Sequence, residues 1–252
     1  MQKNSWKNTN WLYILPALAI GAVLSTLVSF AISMAWLTPI LGAAVAYPIF
    51  IYLVYHKQYG TAAIAMLLWA IFQSLAVGIG TVWFPETAAE TILSGPAHTA
   101  TMFHWIQTGE GYAESLQIVL PGHLRNYLIF CGLCCLTLSS TALLFGTWQL
   151  NYMNFYVAEL VRASAHPWVA ISVGWPPWSI LRVIGYILTG VALAVVGLNQ
   201  IDRLRRRSVQ RSFPQQYLWL GMGFVIADIV LKAPLAPLWR SLLRYVLLGE
   251  AG

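Results

Sequence analysis

The sequence is poor in charged side chains. They make up only 9% of its 252 residues, whereas an ordinary soluble domain carries about 25%. A chain with so few charges cannot cover a surface that faces water, so a soluble globular protein is excluded. The hydrophobic share of 59% and the mean hydropathy of +0.68 indicate instead that the lipid bilayer is the main partner of this chain.

The net charge of +6 does not indicate nucleic-acid binding here. The chain has only 14 Lys and Arg residues, and their one dense cluster lies between two apolar segments. Membrane proteins keep their cytoplasmic positive charge in such loops. We therefore expect no nucleic-acid partner.

The sequence also lacks the motifs of common catalytic and cofactor sites. It has no phosphate-binding loop and no nucleophile elbow. Cys131, Cys134 and Cys135 share one apolar run without a second cysteine pair, so we interpret them as small buried hydrophobic side chains. No histidine is predicted in the middle of a span, where a membrane haem or metal site would need one. We expect no catalytic residue, no metal and no cofactor, and no motif favours an intramembrane enzyme.

Six apolar runs are long enough to cross about 30 Å of hydrocarbon as helices. They cover residues 12–35, 38–55, 61–84, 124–149, 169–198 and 215–232. The first run is too long for the core of a signal peptide, so we expect it to remain as the first membrane helix. The sequence predicts an all-α, polytopic transmembrane helical bundle with six or seven membrane segments plus short interfacial helices.

We expect a single integral membrane domain over residues 1–252. Residues 1–84 form a three-span part, residues 85–122 an external loop with two short surface helices, and residues 123–252 a half that carries the polar groups. Aromatic residues of the loop, namely Trp83, Phe84, Phe103, Trp105 and Tyr112, are expected at the headgroup level. Two prolines, Pro234 and Pro237, are expected to end the last span, and Arg240 and Arg244 then lie on one face of an interfacial helix.

The positions of the charges predict the orientation of the bundle. Lys3 and Lys7 precede the first span, His56 and Lys57 follow the second, and the arginine cluster of residues 203–211 follows the fifth run. These positions are expected to be cytoplasmic. The loop between the third and fourth runs has no Lys or Arg and holds four of the eight carboxylates, which is typical of the opposite side. We expect a multi-pass protein of a bacterial inner (plasma) membrane with its N-terminus in the cytoplasm.

This orientation requires an odd number of crossings between the acidic loop and the arginine cluster, although only two apolar runs lie between them. Residues 151–165 can supply the third crossing, with Glu159 and Arg162 paired on one helical face toward the bundle interior. Alternatively, this segment is an interfacial helix and an irregular hairpin at residues 174–177 reverses the chain.

Five charged residues in the second half are candidates for an intramembrane polar cluster: Glu159, Arg162, Arg182, Asp228 and Lys232. Asp228 lies in an otherwise apolar run, where a carboxylate must be paired or protonated. We predict Asp228 or Glu159 as the partner of Arg182; alternatively, Arg182 extends outward to the interface. Lys232 lies one helical turn after Asp228 and either joins a relay with it or extends outward to the interface.

Several asparagines give the second half a recognisable pattern. Asn126 opens a glycine-containing run, Asn151 or Asn154 follows a stretch of small residues, and Asp228 stands shortly before a proline in the last run. In this pattern residues 121–237 resemble the stage II sporulation protein M-like family of polytopic membrane proteins. The resemblance implies a membrane scaffold without catalytic machinery of its own, which works with partner proteins.

The sequence leaves two main functions open. A non-catalytic subunit or scaffold of a membrane complex is favoured by the lack of catalytic motifs and by segments that could bind protein partners or a second copy. A permease-like subunit of a small-molecule or ion transporter is favoured by the charged residues of the second half.

The predicted orientation is tested by labelling single cysteines introduced at Glu110 and Ser208. The acidic loop and the arginine cluster should lie on opposite sides, so an impermeant thiol reagent should reach Glu110→Cys only from outside and Ser208→Cys only after permeabilisation. Labelling of both from the same side would contradict the orientation.

Overall fold

The computed structural model describes residues 11–110, 116–206 and 211–249. Within these ranges the chain forms ten helices and no strand, so the predicted all-α class is confirmed. The helices are α1 (Trp11–Ile32), α2 (Leu37–Tyr55), α3 (Tyr59–Trp83), α4 (Pro85–Thr91), α5 (Gly95–Thr108), α6 (Leu116–Thr137), α7 (Ser140–Ala163), α8 (Pro167–Val173), α9 (Pro177–Leu204) and α10 (Gln215–Leu248). The predictions for Lys3, Lys7, Tyr112, Glu114, residues 207–210 and Glu250 lie outside the described residues.

Five helices, α1, α2, α3, α9 and α10, are long and apolar enough to cross a membrane. These five helices indicate a multi-pass membrane protein. The helices α6 and α7, with 22 and 24 residues, have the necessary length but are less apolar. By length and composition the described residues therefore give five candidate spans, fewer than the six or seven expected.

The predicted span 124–149 is wrong, because the chain reverses direction inside it. Helix α6 ends at Thr137 and α7 begins at Ser140. Between them Leu138 and Ser139 have φ values of +53° and +66°. Residues with a side chain rarely adopt such positive φ values outside a tight turn. The run looks continuous in sequence because the turn is built from apolar and hydroxyl residues instead of glycine or proline.

Hydroxyl groups satisfy the backbone at this turn. The Ser140 hydroxyl donates to the Thr137 carbonyl oxygen at 2.9 Å, and the Ser139 hydroxyl donates to the Gly190 carbonyl oxygen of α9 at 3.0 Å. The Ser139 N–H donates to the Cys134 carbonyl oxygen. Helix ends leave backbone groups unpaired, and inside an apolar bundle these groups need partners from the protein itself.

The structure adds a reversal at the α6–α7 turn, inside the predicted span 124–149, and it has an irregular break at residues 174–176 between α8 and α9. Residues 151–163 are the second half of α7. The predicted span 169–198 begins only at Pro177, because residues 169–173 belong to α8. The turn packs against Gly197, two helical turns before the end of α9, where a Cβ atom would lie 2.7 Å from Leu138 Cδ2.

The prolines of α10 do not end the helix. Pro234 and Pro237 lie inside a continuous helix of 34 residues, about 51 Å long and longer than the hydrocarbon core. Tertiary contacts hold its last part: Trp239 Nε1 donates to the Val173 carbonyl oxygen at 3.1 Å, and Ser164 Oγ donates to the Val246 carbonyl oxygen at 2.8 Å. The predicted separate interfacial helix is therefore a continuation of α10.

The acidic loop is more structured than predicted. The first short helix, α4, is confirmed, and Gly95 and Pro96 begin the additional helix α5, since proline suits the first turn. Arg240 of α10 donates to the carbonyl oxygens of Trp105 and Ile106 at the end of α5. Trp105 is only 3% exposed and packs inside the protein, while its predicted depth at the headgroups stays a prediction.

The two ends of the bundle differ in chemistry. We call the end that carries residues 56–58, 204–206 and 211–214 the basic end, and the end that carries α4, α5 and α8 the loop end. At the basic end Arg211 lies 4.6 Å from the ring centre of Tyr55 and pairs with Asp202. Asp202 is only 6% exposed, because Arg211 covers it.

Helices α9 and α10 approach each other closely at two glycines. A Cβ atom on Gly221 would lie 2.5 Å from Thr189 Oγ1 and 2.8 Å from the Gly185 carbonyl oxygen. Such distances do not allow a side chain without separating the helices. Small residues at this crossing permit the backbone contact that membrane helices use for packing.

We predict that Gly221→Val destabilises the protein by at least about 1–3 kcal/mol, the usual effect of overpacking, because its side chain would displace α9. The readouts are the melting temperature in detergent and the monodisperse fraction in size-exclusion chromatography. Gly223→Val is the matched control, since a Cβ atom there meets nothing within 4 Å. Equal melting temperatures for the two variants would contradict the close packing.

Candidate functional site

A buried ion pair joins α9 and α10. Arg182 Nε donates to Asp228 Oδ2 at 2.8 Å, and Arg182 Nη2 donates to Asp228 Oδ1 at 3.0 Å. The Asp228 side chain has no exposed surface. This two-bond geometry is the strongest way in which a guanidinium binds a carboxylate. The prediction that Arg182 pairs with Asp228 or Glu159 is confirmed for Asp228.

Helix α6 adds a third member to this ion pair. His123 Nδ1 lies 3.3 Å from Asp228 Oδ2. His123 was not predicted because the expected span began only at residue 124, whereas α6 begins already at Leu116. One helical turn after His123 on α6, the Tyr127 hydroxyl shares a hydrogen bond of 2.8 Å with the Thr189 hydroxyl of α9. A histidine and a tyrosine four residues apart lie on one helical face. This spacing is the sequence signal by which His123 and Tyr127 could have been identified.

The five predicted cluster residues do not all come together. Lys232 is only 7% exposed and lies close to Arg182 and Asp228, so the interpretation that it extends outward to the interface is wrong. Glu159 and Arg162 pair with each other at 2.7 Å, but the Arg162 side chain is 38% exposed and does not face the bundle interior. Ser164, next to this pair, binds Val246, about 27 Å beyond Asp228 along α10.

A cavity of about 190 Å³ lies beside the Arg182–Asp228 pair. Residues from α2, α3, α5, α6, α7, α9 and α10 line it, and aromatic side chains are prominent among them. These aromatic residues are Phe50, Trp69, Trp105, Phe130, Tyr152, Trp175, Trp178 and Tyr186. Arg182 and Lys232 also line the cavity. Mostly apolar cavities with a few charged groups are the usual form of small-molecule sites.

His98 of α5 lines the cavity from the loop end. Its Nε2 atom lies 3.1 Å from Met153 Sδ, and its ring centre lies 4.6 Å from that of Tyr152. Burial, followed by the nearby cations Arg182 and Lys232, lowers the pKa of His98 to about 4. His98 is therefore neutral at physiological pH and adds a polar group without charge.

A second group of buried polar side chains lies between α3 and α7. Gln73 Nε2 donates to Asn151 Oδ1 at 3.3 Å, and both residues are at most 2% exposed. Asn154 is also 2% exposed, and neither atom of its amide has a partner among the described residues. Asn151 and Asn154, which carry the family resemblance, lie in the middle of α7 and do not open it. Interhelical amide contacts of this kind hold membrane helices together.

The cysteines do not form a site. Cys131, Cys134 and Cys135 have free thiols on α6, and Cys134 is buried beneath Phe130 and Ala142. Their interpretation as small hydrophobic side chains agrees with this packing. Across the described ranges no group of three or more His, Cys, Asp and Glu residues could hold a metal ion.

No family model matches this chain, and no curated protein or solved structure matches it either. The resemblance to the stage II sporulation protein M-like family stays a prediction. The cavity and the ion pair beside it are therefore the features that bear on function.

Removal of one partner from the ion pair should be more harmful than removal of both. We predict that Asp228→Asn leaves Arg182 without its counter-charge and destabilises the protein by about 3–5 kcal/mol. The double variant with Arg182→Gln should recover part of the loss. The measurements are purified yield and melting temperature in mild detergent.

Glu159→Gln is the control for this comparison. Its pair with Arg162 is partly exposed and joins residues on the same helix, where such pairs contribute only about 0.2–0.5 kcal/mol. Wild-type yield and melting temperature for Asp228→Asn would show that the pair is not needed for folding.

Proposed function

We propose that this chain is a multi-pass membrane protein that binds a small molecule in its intramembrane cavity, as a permease-like subunit of a transporter. The observation that carries this proposal is the aromatic cavity with Arg182 and Lys232 in its wall. A scaffold needs outer surfaces for partners, and an internal cavity next to buried charges adds nothing to that role. The cavity therefore favours transport over the scaffold function, which stays the second candidate.

In this proposal the chain crosses the membrane seven times. Helices α6 and α7 join the five apolar helices, and their turn packs against α9 near the basic end. Their polar side chains face protein partners, such as Tyr127 on Thr189 and Asn151 on Gln73, so lower hydropathy does not prevent them from crossing. Three crossings between the acidic loop and the arginine cluster satisfy the parity of the charges.

We further propose that the basic end is cytoplasmic, in a bacterial inner membrane. Lys57, Arg203, Arg205, Arg206 and Arg211 lie at this end, as the positive-inside rule requires. The acidic loop then faces outward.

The cavity function is tested by filling the cavity. Gly146 of α7 lines the cavity, and a Cβ atom there meets nothing within 4 Å. We predict that Gly146→Phe folds normally and abolishes the rise in melting temperature that dodecanol, a neutral apolar probe, gives with the wild-type protein. Gly132→Phe on α6 is the matched control, since Gly132 is exposed and also has open space around its Cβ position.

The control variant should respond to dodecanol as the wild-type protein does. An unchanged response in Gly146→Phe would contradict binding in the cavity. Co-purification in mild detergent then separates the two candidate functions, since a transporter subunit should bring an ATPase with it and a scaffold an assembly factor or soluble enzyme.

A further inference from the structure

A second pocket lies at the basic end, beside the last turns of α9. Its wall on α9 is one helical face, and residues 211–213 before α10 form the opposite wall. The α9 residues are Val196, Asn199, Gln200 and Arg203. We call the pocket lined by these seven residues the α9 groove. Its volume of about 490 Å³ is within the range of small-ligand sites.

Asn199 fixes the wall opposite α9. Its Nδ2 atom donates to the Arg211 carbonyl oxygen at 2.9 Å, and the Arg211 N–H donates to Asn199 Oδ1 at 3.0 Å. The Arg211 guanidinium pairs with Asp202 and lies over the Tyr55 ring. The charge of Arg211 is thereby compensated inside the protein, so it does not count toward the binding of a ligand.

Arg203 is the uncompensated cation of the α9 groove. Its side chain is exposed and forms no ion pair or hydrogen bond with another described residue. The helix ends that meet at the basic end lie within residues 1–85, 115–158 and 160–227, and these ranges contain a single carboxylate, that of Asp202. Because this carboxylate is already paired, none in these ranges is left for Arg203. The charge of Arg203 therefore attracts an anion from outside the chain.

The α9 groove lies where α9 leaves the apolar layer. Helices α9 and α10 are both candidate spans, and the groove is at the ends where they meet. Leu204 at the end of α9 and Trp219 near the start of α10 are strongly exposed, as expected of such side chains at the edge of a bilayer. Along α9 the lining changes from Val196 to Arg203 over two helical turns, about 10 Å. A ligand that fits both parts has a negative headgroup and an apolar part on its bilayer side.

We infer that the α9 groove binds an anionic phospholipid, as basic pockets between membrane helices do. The phosphate contacts Arg203, since guanidinium and phosphate groups form charge-assisted hydrogen bonds. Gln200 and Ser212 have exposed side chains without a hydrogen-bond partner among the described residues, so they are available to the rest of the headgroup. The acyl chains lie on the bilayer side, toward Val196. This ligand is distinct from the one proposed for the aromatic cavity, and the inference does not depend on that function.

The test compares three probes on the full chain in a neutral maltoside detergent. They are dioctanoyl phosphatidylglycerol, which is anionic, dioctanoyl phosphatidylcholine, which has no net charge, and inorganic phosphate. Dissociation constants are taken from the rise in melting temperature with probe concentration. We expect phosphatidylglycerol to bind about tenfold more tightly than phosphatidylcholine, the difference that one charge-assisted hydrogen bond provides. Inorganic phosphate lacks the apolar part and should bind more weakly than phosphatidylglycerol.

Arg203→Gln should remove most of this difference by lowering the affinity for phosphatidylglycerol. Arg205→Gln is the matched control, because Arg205 is also exposed at the basic end but does not line the α9 groove. The two variants lose the same charge. At physiological ionic strength the screening length is about 8 Å, so Arg205→Gln should retain most of the difference. Both side chains are exposed, so both variants should keep the wild-type melting temperature without lipid.

Equal affinity for the two lipids would overturn the inference. Equal losses in Arg203→Gln and Arg205→Gln would assign the preference to the general charge of the basic end and would overturn the groove as a site. Binding of inorganic phosphate as tight as that of phosphatidylglycerol would assign the groove to free phosphate and not to a lipid. Gly146→Phe, which fills the aromatic cavity, should leave the preference unchanged. Its loss in that variant would place the lipid in the aromatic cavity and overturn the inference, while the cavity function would stand.

Discussion

A carboxylate without exposed surface can stay ionised in an apolar bundle only if cations and N–H donors surround it. Asp228 meets this condition with Arg182 from α9 and His123 from α6. Three helices are therefore held in one register by the need to neutralise a single side chain. The cavity lies beside this group, and two of its wall residues, Arg182 and Lys232, are placed by the same electrostatic requirement.

The second constraint is the backbone at the α6–α7 turn. Lipid offers no hydrogen bonds, so a chain that reverses inside the bundle must satisfy its own carbonyl and N–H groups. The Ser140 hydroxyl binds the Thr137 carbonyl oxygen and the Ser139 N–H binds the Cys134 carbonyl oxygen, while the Ser139 hydroxyl joins the turn to Gly190 of α9 and Gly197 leaves room for it. This reversal brings Phe130 of α6 and Gly146 of α7 to the same cavity, so the turn that divides one apolar run also creates the cavity wall.

The loop end depends on contacts made far along the chain. Arg240 caps α5 through carbonyl oxygens, Trp239 binds Val173, and Ser164 binds Val246. These bonds join the last part of α10 to α5, to Val173 at the end of α8 and to Ser164 after α7. Helices α5 and α8 are thus held by the last part of the chain, although they are short or polar by themselves.

The sequence by itself determined the class of the protein, since 9% charge and 59% hydrophobic content allow only a lipid-facing helical chain. It also determined that Asp228 needs a partner and that α1, α2 and α3 exist, because hydropathy and the cost of an isolated charge are local properties. Only the tertiary structure decided that residues 124–149 contain a turn, that α10 continues past its prolines, and that Lys232 lies inside. Each of these outcomes depends on hydrogen bonds, charges or close packing supplied by another helix. The pattern of residues along one segment does not show which helix will pack against it.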